Sequence, residues 1–233
     1  MNDNRLDIGV AQYQQRRDAI LATLESYREW LEKYTDDAPE QNLRLYDLAE
    51  SLKRDKLMLA FVAEFSRGKS ELINALFFSD FKQRLLPSDV GRTTMCPTEL
   101  FFDADSEPSL RLLPIETRLR DDTIAALKRM PIEWSMLRLD PADPAQISKS
   151  LSALADVKRV TIAEAQALGL AEVDEVTKSA DGTMEVPVWR YAMINFPHPL
   201  LKSGLAILDT PGLNALGAEP ELTLNTIPSA HGV

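Results

Sequence analysis

The chain has 233 residues, 45% of them hydrophobic and 27% charged, enough for one large or two small domains with a sizeable core. A formal net charge of −10 argues against a nucleic-acid binder held by bulk electrostatics. Unless a local basic patch intervenes, it also gives no general attraction to anionic lipid. A single cysteine, Cys96, excludes an intrachain disulfide and fits a reducing compartment.

The N-terminus has no apolar core of signal-peptide type, and no run of about 18 apolar residues occurs to span a bilayer. Residues 9–34 read as a long helix. Tyr13, Ile20, Leu24, Tyr27, Leu31 and Tyr34 recur at three-to-four spacing, interrupted by Arg17. The stripe is near heptad, so packing on other helices is expected rather than on a sheet. Asp36 to Glu40 punctuates the chain, and a second helix over 41–55 places Leu45, Leu48, Ala49 and Leu52 on one face.

An apolar run, Leu57 to Val62, then predicts a buried strand. A polar turn over Ala63 to Ser70 follows, and then a helix with Leu72, Ile73, Leu76 and Phe77 as its apolar residues. Strand, turn and helix in this order are the setting of the phosphate-binding loop G-x-x-x-x-G-K-[ST]. The chain carries Ala63, Glu64, Phe65, Ser66, Arg67, Gly68, Lys69 and Ser70, so only the first glycine is replaced. Such a loop turns backbone N–H groups toward an anion, and Gly68 permits close approach. The helix start adds unpaired N–H groups and a positive dipole end. Lys69 would bridge β- and γ-phosphates, and the Ser70 hydroxyl would bind Mg²⁺.

A loop from Leu85 to Pro97 leads into a strand over Thr98 to Phe102. Nucleotide switches place a γ-phosphate-sensing threonine in such a loop, and Thr93 and Thr94 are both candidates. Helices are expected near 121–129, 146–156 and 162–169, with an Asp/Pro-rich segment at Leu139 to Ala145 and a strand within Val186 to Asn195. Downstream, Leu205 to Leu208 reads as a strand followed by Asp209, Thr210, Pro211 and Gly212. An aspartate at the carboxyl end of a parallel strand lies beside a phosphate site, where it can hold Mg²⁺ through water. The Gly212 N–H can reach the γ-phosphate. His198 and His231 are read as structural.

Together, AEFSRGKS, LLPSDVGRTTMCPTEL and GLAILDTPGLN resemble the dynamin superfamily of large GTPases, most of all its bacterial members. The T-x-x-P at Thr94 to Pro97 matches the family's first switch and selects Thr94 over Thr93. Asp209 to Gly212 matches the second. The resemblance implies an α/β P-loop GTPase domain over 56–233, preceded by a helical segment, 1–55, that joins a helical bundle. The long span at about 103–190 is read as an insertion.

The resemblance further implies GTP hydrolysis with Mg²⁺ held by Ser70, Thr94 and Asp209, and a K⁺ or Na⁺ ion placed with Ser66. It also implies self-association across the nucleotide face, and membrane remodelling by a cytoplasmic protein that meets the membrane peripherally. Phe65 stands where eukaryotic members carry a water-orienting glutamine, which shifts that role to the backbone and Ser66. The guanine-specifying [TN]-K-x-D is expected two strands after Asp209 and is absent, and Val176 to Asp181 does not supply it. A longer parent protein or a truncated gene product is therefore expected, with poor solubility and weak nucleotide affinity for residues 1–233 alone. Two other readings stay open, an ATP-using P-loop enzyme and a nucleotide-independent interaction module.

Overall fold

The structure, a computed structural model, describes residues 3–34, 39–54, 56–63, 68–81, 84–87, 96–170, 182–211 and 230–232. Two helices come first, α1 (Asp3–Tyr34) and α2 (Pro39–Arg54). They are followed by β1 (Leu57–Phe61), α3 (Lys69–Phe77) and β2 (Thr98–Phe101). Next come β3 (Ser109–Pro114), α4 (Ile124–Leu127), β4 (Ser135–Arg138) and α5 (Pro144–Leu151). The remainder is β5 (Val157–Thr161), α6 (Ile162–Ala167), β6 (Thr183–Pro187), β7 (Trp189–Asn195), α7 (Pro199–Lys202) and β8 (Leu205–Asp209).

Among the described residues the main sheet has six strands in the order β1-β8-β2-β7-β3-β4. β8 runs parallel to β1 and antiparallel to β2, and β7 runs parallel to β2. The strand β8 is buried along its whole length, as a central strand covered on both faces must be. Its alternate residues feed two cores. Leu205 and Ile207 join Leu100, Leu112 and Ile194 against Ile73 and Phe77 of α3 and Ile147 of α5. Ala206 and Leu208 join Phe101, Tyr191 and Met193 against Leu127 of α4 and Trp134. The period-two alternation of side chains thus sorts one apolar strand between two layers.

The region between β2 and β8 differs from its sequence reading in four places. First, β3 and β4, which hydrophobic pattern did not announce, extend the main sheet beyond β7. Second, the segment around 186–195 is two strands. Its first half, β6, pairs with β5 in a separate ribbon, and its second half, β7, enters the main sheet. The break falls after Pro187, which has no N–H to continue a ladder. Third, α5 begins at Pro144 because Asp143 caps it, accepting from the N–H groups of Ala145 and Gln146, and proline suits the first helical position. Fourth, α4 is a single turn capped by Thr123. The ribbon closes over a third core with Ile115, Leu168, Met184 and Val186.

The N-terminal pair also departs from the expected stripe. Leu31 of α1 and Ala49 of α2 are buried, while Ile20, Tyr27, Tyr34 and Leu48 are exposed. The interrupting Arg17 faces the sheet domain. Its guanidinium lies against Gly204, and the Gln14 amide donates to the Ser203 carbonyl. The helix therefore rests on the turn ahead of β8 as well as on α2.

Candidate functional site

The site is set by the parallel pairing of β1 and β8. Their register brings Phe61, the last residue of β1, beside Asp209, the last residue of β8. The antiparallel neighbour β2 places Thr98 opposite Asp209 on the other side. The chain leaving β1 and the chain leaving β8 therefore emerge together at the carboxyl ends of two parallel strands, where α/β sheets bind ligands.

Gly68 starts the helix that faces this point. Its φ of 81° is left-handed, a conformation glycine adopts without strain. A Cβ there would meet nothing within 4 Å, so conformation and not space requires the glycine. The Gly68 carbonyl accepts the first helical bond, from Leu72 N–H at 2.9 Å. Residues 69 and 70 thereby occupy the first turn of α3, with its N–H groups directed out of the helix end.

Three predicted residues meet here. The Ser70 hydroxyl donates to Asp209 Oδ2 at 3.1 Å, linking α3 to β8 across the sheet end. The Lys69 ammonium folds back over the turn and donates to the Ala63 carbonyl at 2.9 Å. Burial lowers the Lys69 pKa from its ordinary value, and the negative charge of Asp209 opposes that shift. Asp209 is itself buried, at 2% exposure. A hydroxyl and a carboxylate are the hard oxygen donors that suit a small divalent cation such as Mg²⁺. Glu64, Phe65, Ser66, Arg67, Thr93, Thr94 and Gly212 lie outside the described residues.

Two supporting residues were not singled out by sequence. Thr210, 1% exposed, donates its hydroxyl to the Phe61 carbonyl at 2.8 Å and clamps the two strand ends. Asn74 is buried on α3, one turn beyond Ser70. A polar residue on the apolar side of the helix, flanked by Ile73 and Phe77, was the available signal. The helix face itself differs slightly from expectation, since Leu72 is half exposed while Ile73 and Phe77 are buried. His198 caps α7, accepting from Leu200 N–H at 3.3 Å, and its ring meets Phe77 edge-on.

Fold and site define an α/β P-loop nucleotide-binding domain with helices ahead of it. The family model described as the dynamin family matches residues 59–233. The chain belongs to the dynamin family. It is 26% identical over 185 residues to a bacterial dynamin-like protein of Nostoc punctiforme, covering 79% of this chain and 21% of that relative. Two solved chains from an oligomerised bacterial dynamin pair, described in terms of long-range sensing and tethering of membranes, are also similar. They have TM-scores of 0.41 and 0.47 and identities of 22% and 18%, covering 91% and 92% of this chain. The chain spans 21% of the length of the curated relative and 25% and 26% of the solved chains. Among the described residues no helix is long and apolar enough to cross a membrane.

Proposed function

We propose that this chain carries the GTP-binding and hydrolysing site of a dynamin-like GTPase, converting GTP and water to GDP and phosphate. The observation that carries the proposal is the meeting of Lys69, Ser70 and Asp209 at the carboxyl ends of β1 and β8. The backbone at Gly68 and the first turn of α3 would receive the phosphates. The Lys69 ammonium, now on the Ala63 carbonyl, would transfer to phosphate oxygens and stabilise charge on the transferring group. Ser70, Asp209 and Thr94 would hold Mg²⁺, with Asp209 acting through water. When bound, that ion would neutralise charge developing on the phosphate oxygens. Ser66 would position water or a K⁺ or Na⁺ ion, and the backbone near Gly212 would reach the γ-phosphate.

The catalytic contribution of the protein is thus placement of charge, with little covalent chemistry asked of it. The same proposal divides the chain into a helical segment, 1–55, and a GTPase domain, 56–233, with an insertion at about 103–190. In the complete protein, hydrolysis would be coupled to self-association across the nucleotide face and to membrane remodelling. The location would be cytoplasmic, peripheral on the membrane.

The test is hydrolysis by the complete protein, with GTP and ATP competing for the site. GTP turnover that ATP does not inhibit is the expected result. Preferential ATP turnover would replace the substrate, and absence of both binding and phosphate release would leave an interaction module.

A further inference from the structure

Among the described residues the main sheet ends at β4, three strands away from β8. All four β4 residues are exposed, with Met136 at 69% and Leu137 at 41%. An edge strand offers a row of backbone N–H and C=O groups to another strand, unless lysine, proline or a bulge protects it. The sequence Ser-Met-Leu-Arg has neither lysine nor proline, and its register on β3 runs unbroken from Ser135 to Arg138.

The outward groups can be identified from a few bonds. The Leu139 N–H donates to the Pro108 carbonyl at 2.9 Å, which continues the β3–β4 register. Backbone groups alternate in direction along a strand, so Leu137 and Ser135 also bond toward β3. Arg138, Met136 and the extended Trp134 then direct theirs outward. At one end the outward Arg138 carbonyl accepts from the Gln146 amide at 2.7 Å, and Gln146 Oε1 takes the Asp140 N–H at 3.0 Å. At the other end the Trp134 N–H donates to the Pro131 carbonyl at 3.2 Å. Among the described residues, the Arg138 N–H, both groups of Met136 and the Trp134 carbonyl are left for a partner.

This set is its own complement, with partly positive hydrogens facing partly negative oxygens. In an antiparallel ladder, bonded opposite residues exchange both N–H···O=C bonds. With Met136 opposite Met136 of a second copy, Arg138 falls opposite Trp134 of that copy, and the Arg138 N–H meets the Trp134 carbonyl. The bond this ladder omits, from Trp134 N–H to Arg138 C=O, joins two groups that each copy already satisfies internally. A foreign strand with an ordinary backbone would instead leave an N–H opposite Arg138 and a C=O opposite Trp134 without acceptor or donor.

We propose that β4 pairs with β4 of a second copy of this chain, antiparallel and two-fold about Met136, joining two sheets into one. The Met136 side chains face each other across the axis. The proposal does not rest on the GTPase reading, and it uses the sheet edge remote from the nucleotide face.

The experiment uses the complete protein without nucleotide, as wild type, Met136→Cys, Leu137→Cys and Met136→Lys. Each variant changes an exposed side chain. In the proposed pair the two 136 positions have Cα atoms about 5.5 Å apart, within disulfide reach. The two 137 positions are offset along the strands to about 8 Å, beyond that reach. Under mild oxidation Met136→Cys should therefore form an intermolecular disulfide about tenfold faster or more than Leu137→Cys, with the linked peptide identified by mass spectrometry. Cys96 is buried and does not compete. In wild type, hydrogen exchange of the Met136 and Arg138 amides should slow about tenfold or more as protein concentration rises. In Met136→Lys it should not, because two like charges would face each other across the axis.

Absence of a disulfide at position 136 would overturn the proposal, because the copies would not meet there. Equal or inverted rates at 136 and 137 would overturn it as well, since the register would be wrong. Amides protected at every concentration, in Met136→Lys as in wild type, would show that something other than a second copy holds this edge, and would also refute the pairing. If the lysine variant does not fold, the two cysteine variants decide the matter.

Discussion

Replacing Lys69 by methionine separates the bond this side chain makes without ligand from the charge it would offer to one. In the structure the ammonium donates to the Ala63 carbonyl at 2.9 Å. A hydrogen bond involving a charged group is worth about 1.5–3 kcal/mol net. Burial works against it, since it disfavours the charged ammonium and lowers its pKa, with Asp209 restoring only part. Methionine keeps the aliphatic stem and removes both effects. The stability of the nucleotide-free protein should therefore change by less than about 1 kcal/mol, a Tm shift under about 4 °C for a domain of this size.

Ligand binding should respond far more. A unit charge about 4 Å from a phosphate charge interacts by about 4 kcal/mol at an effective dielectric of about 20. Allowing for desolvation of both groups, a loss of about 2–4 kcal/mol remains, or roughly 30- to 1,000-fold in affinity. Thermal unfolding without nucleotide and titration with fluorescent GTP read the two numbers on the same preparation. A stability loss above about 2 kcal/mol would make Lys69 a structural strut. An affinity loss below about threefold would remove it from the phosphate site.

Two further outcomes follow from Cys96 and Glu116. The Cys96 thiol is fully buried and its pKa is pushed up to about 12, chiefly by burial. At pH 8 its thiolate fraction should be about one in ten thousand, so native protein should resist alkylation until it is unfolded. Labelling by iodoacetamide at the rate of a free thiol, followed by mass spectrometry, would refute this burial. Glu116 is held below its ordinary value of 4.5 by its hydrogen bond to Lys158, which joins the β5–β6 ribbon to the residues after β3. A carboxylate with a lowered folded pKa contributes stability above its unfolded pKa and loses it as pH falls through the folded value. Glu116→Gln should therefore lower Tm at pH 7 and converge on wild type once both are well below pH 4.5. A Tm gap that stayed constant through acid would show that the ion pair is not the source.

Local chemistry made part of this molecule legible from its sequence. The run Leu57 to Val62, the Gly68-Lys69-Ser70 turn and the apolar residues of the following helix announce strand, left-handed glycine and helix start. Each depends on neighbours in sequence, and each is found in β1, Gly68 and α3. The Asp209 turn after an apolar strand was equally readable, because a single buried strand ending in a carboxylate has few other meanings.

Partners distant in sequence were legible only where the family resemblance supplied them, as it did for Ser70 and Asp209. The pairing of β8 with β1 that brings those two together is encoded by no local pattern. The strands β3 and β4 carry mixed polarity because β4 is an exposed edge, so their periodicity is faint. Pro187 breaks one apolar stretch into two strands of different sheets, which only the fold could assign. The hydrogen bonds of the Asn74 amide with the Leu85 and Leu86 backbone were likewise invisible, because the need of a buried backbone elsewhere leaves no mark on the residue that meets it. Sequence by itself determined the strand, turn and helix start that carry Gly68, Lys69 and Ser70, because spacing within one loop is a local property. Tertiary structure decided the strand order and register that set Ser70 against Asp209, because pairing and the satisfaction of buried backbone are set by the whole chain.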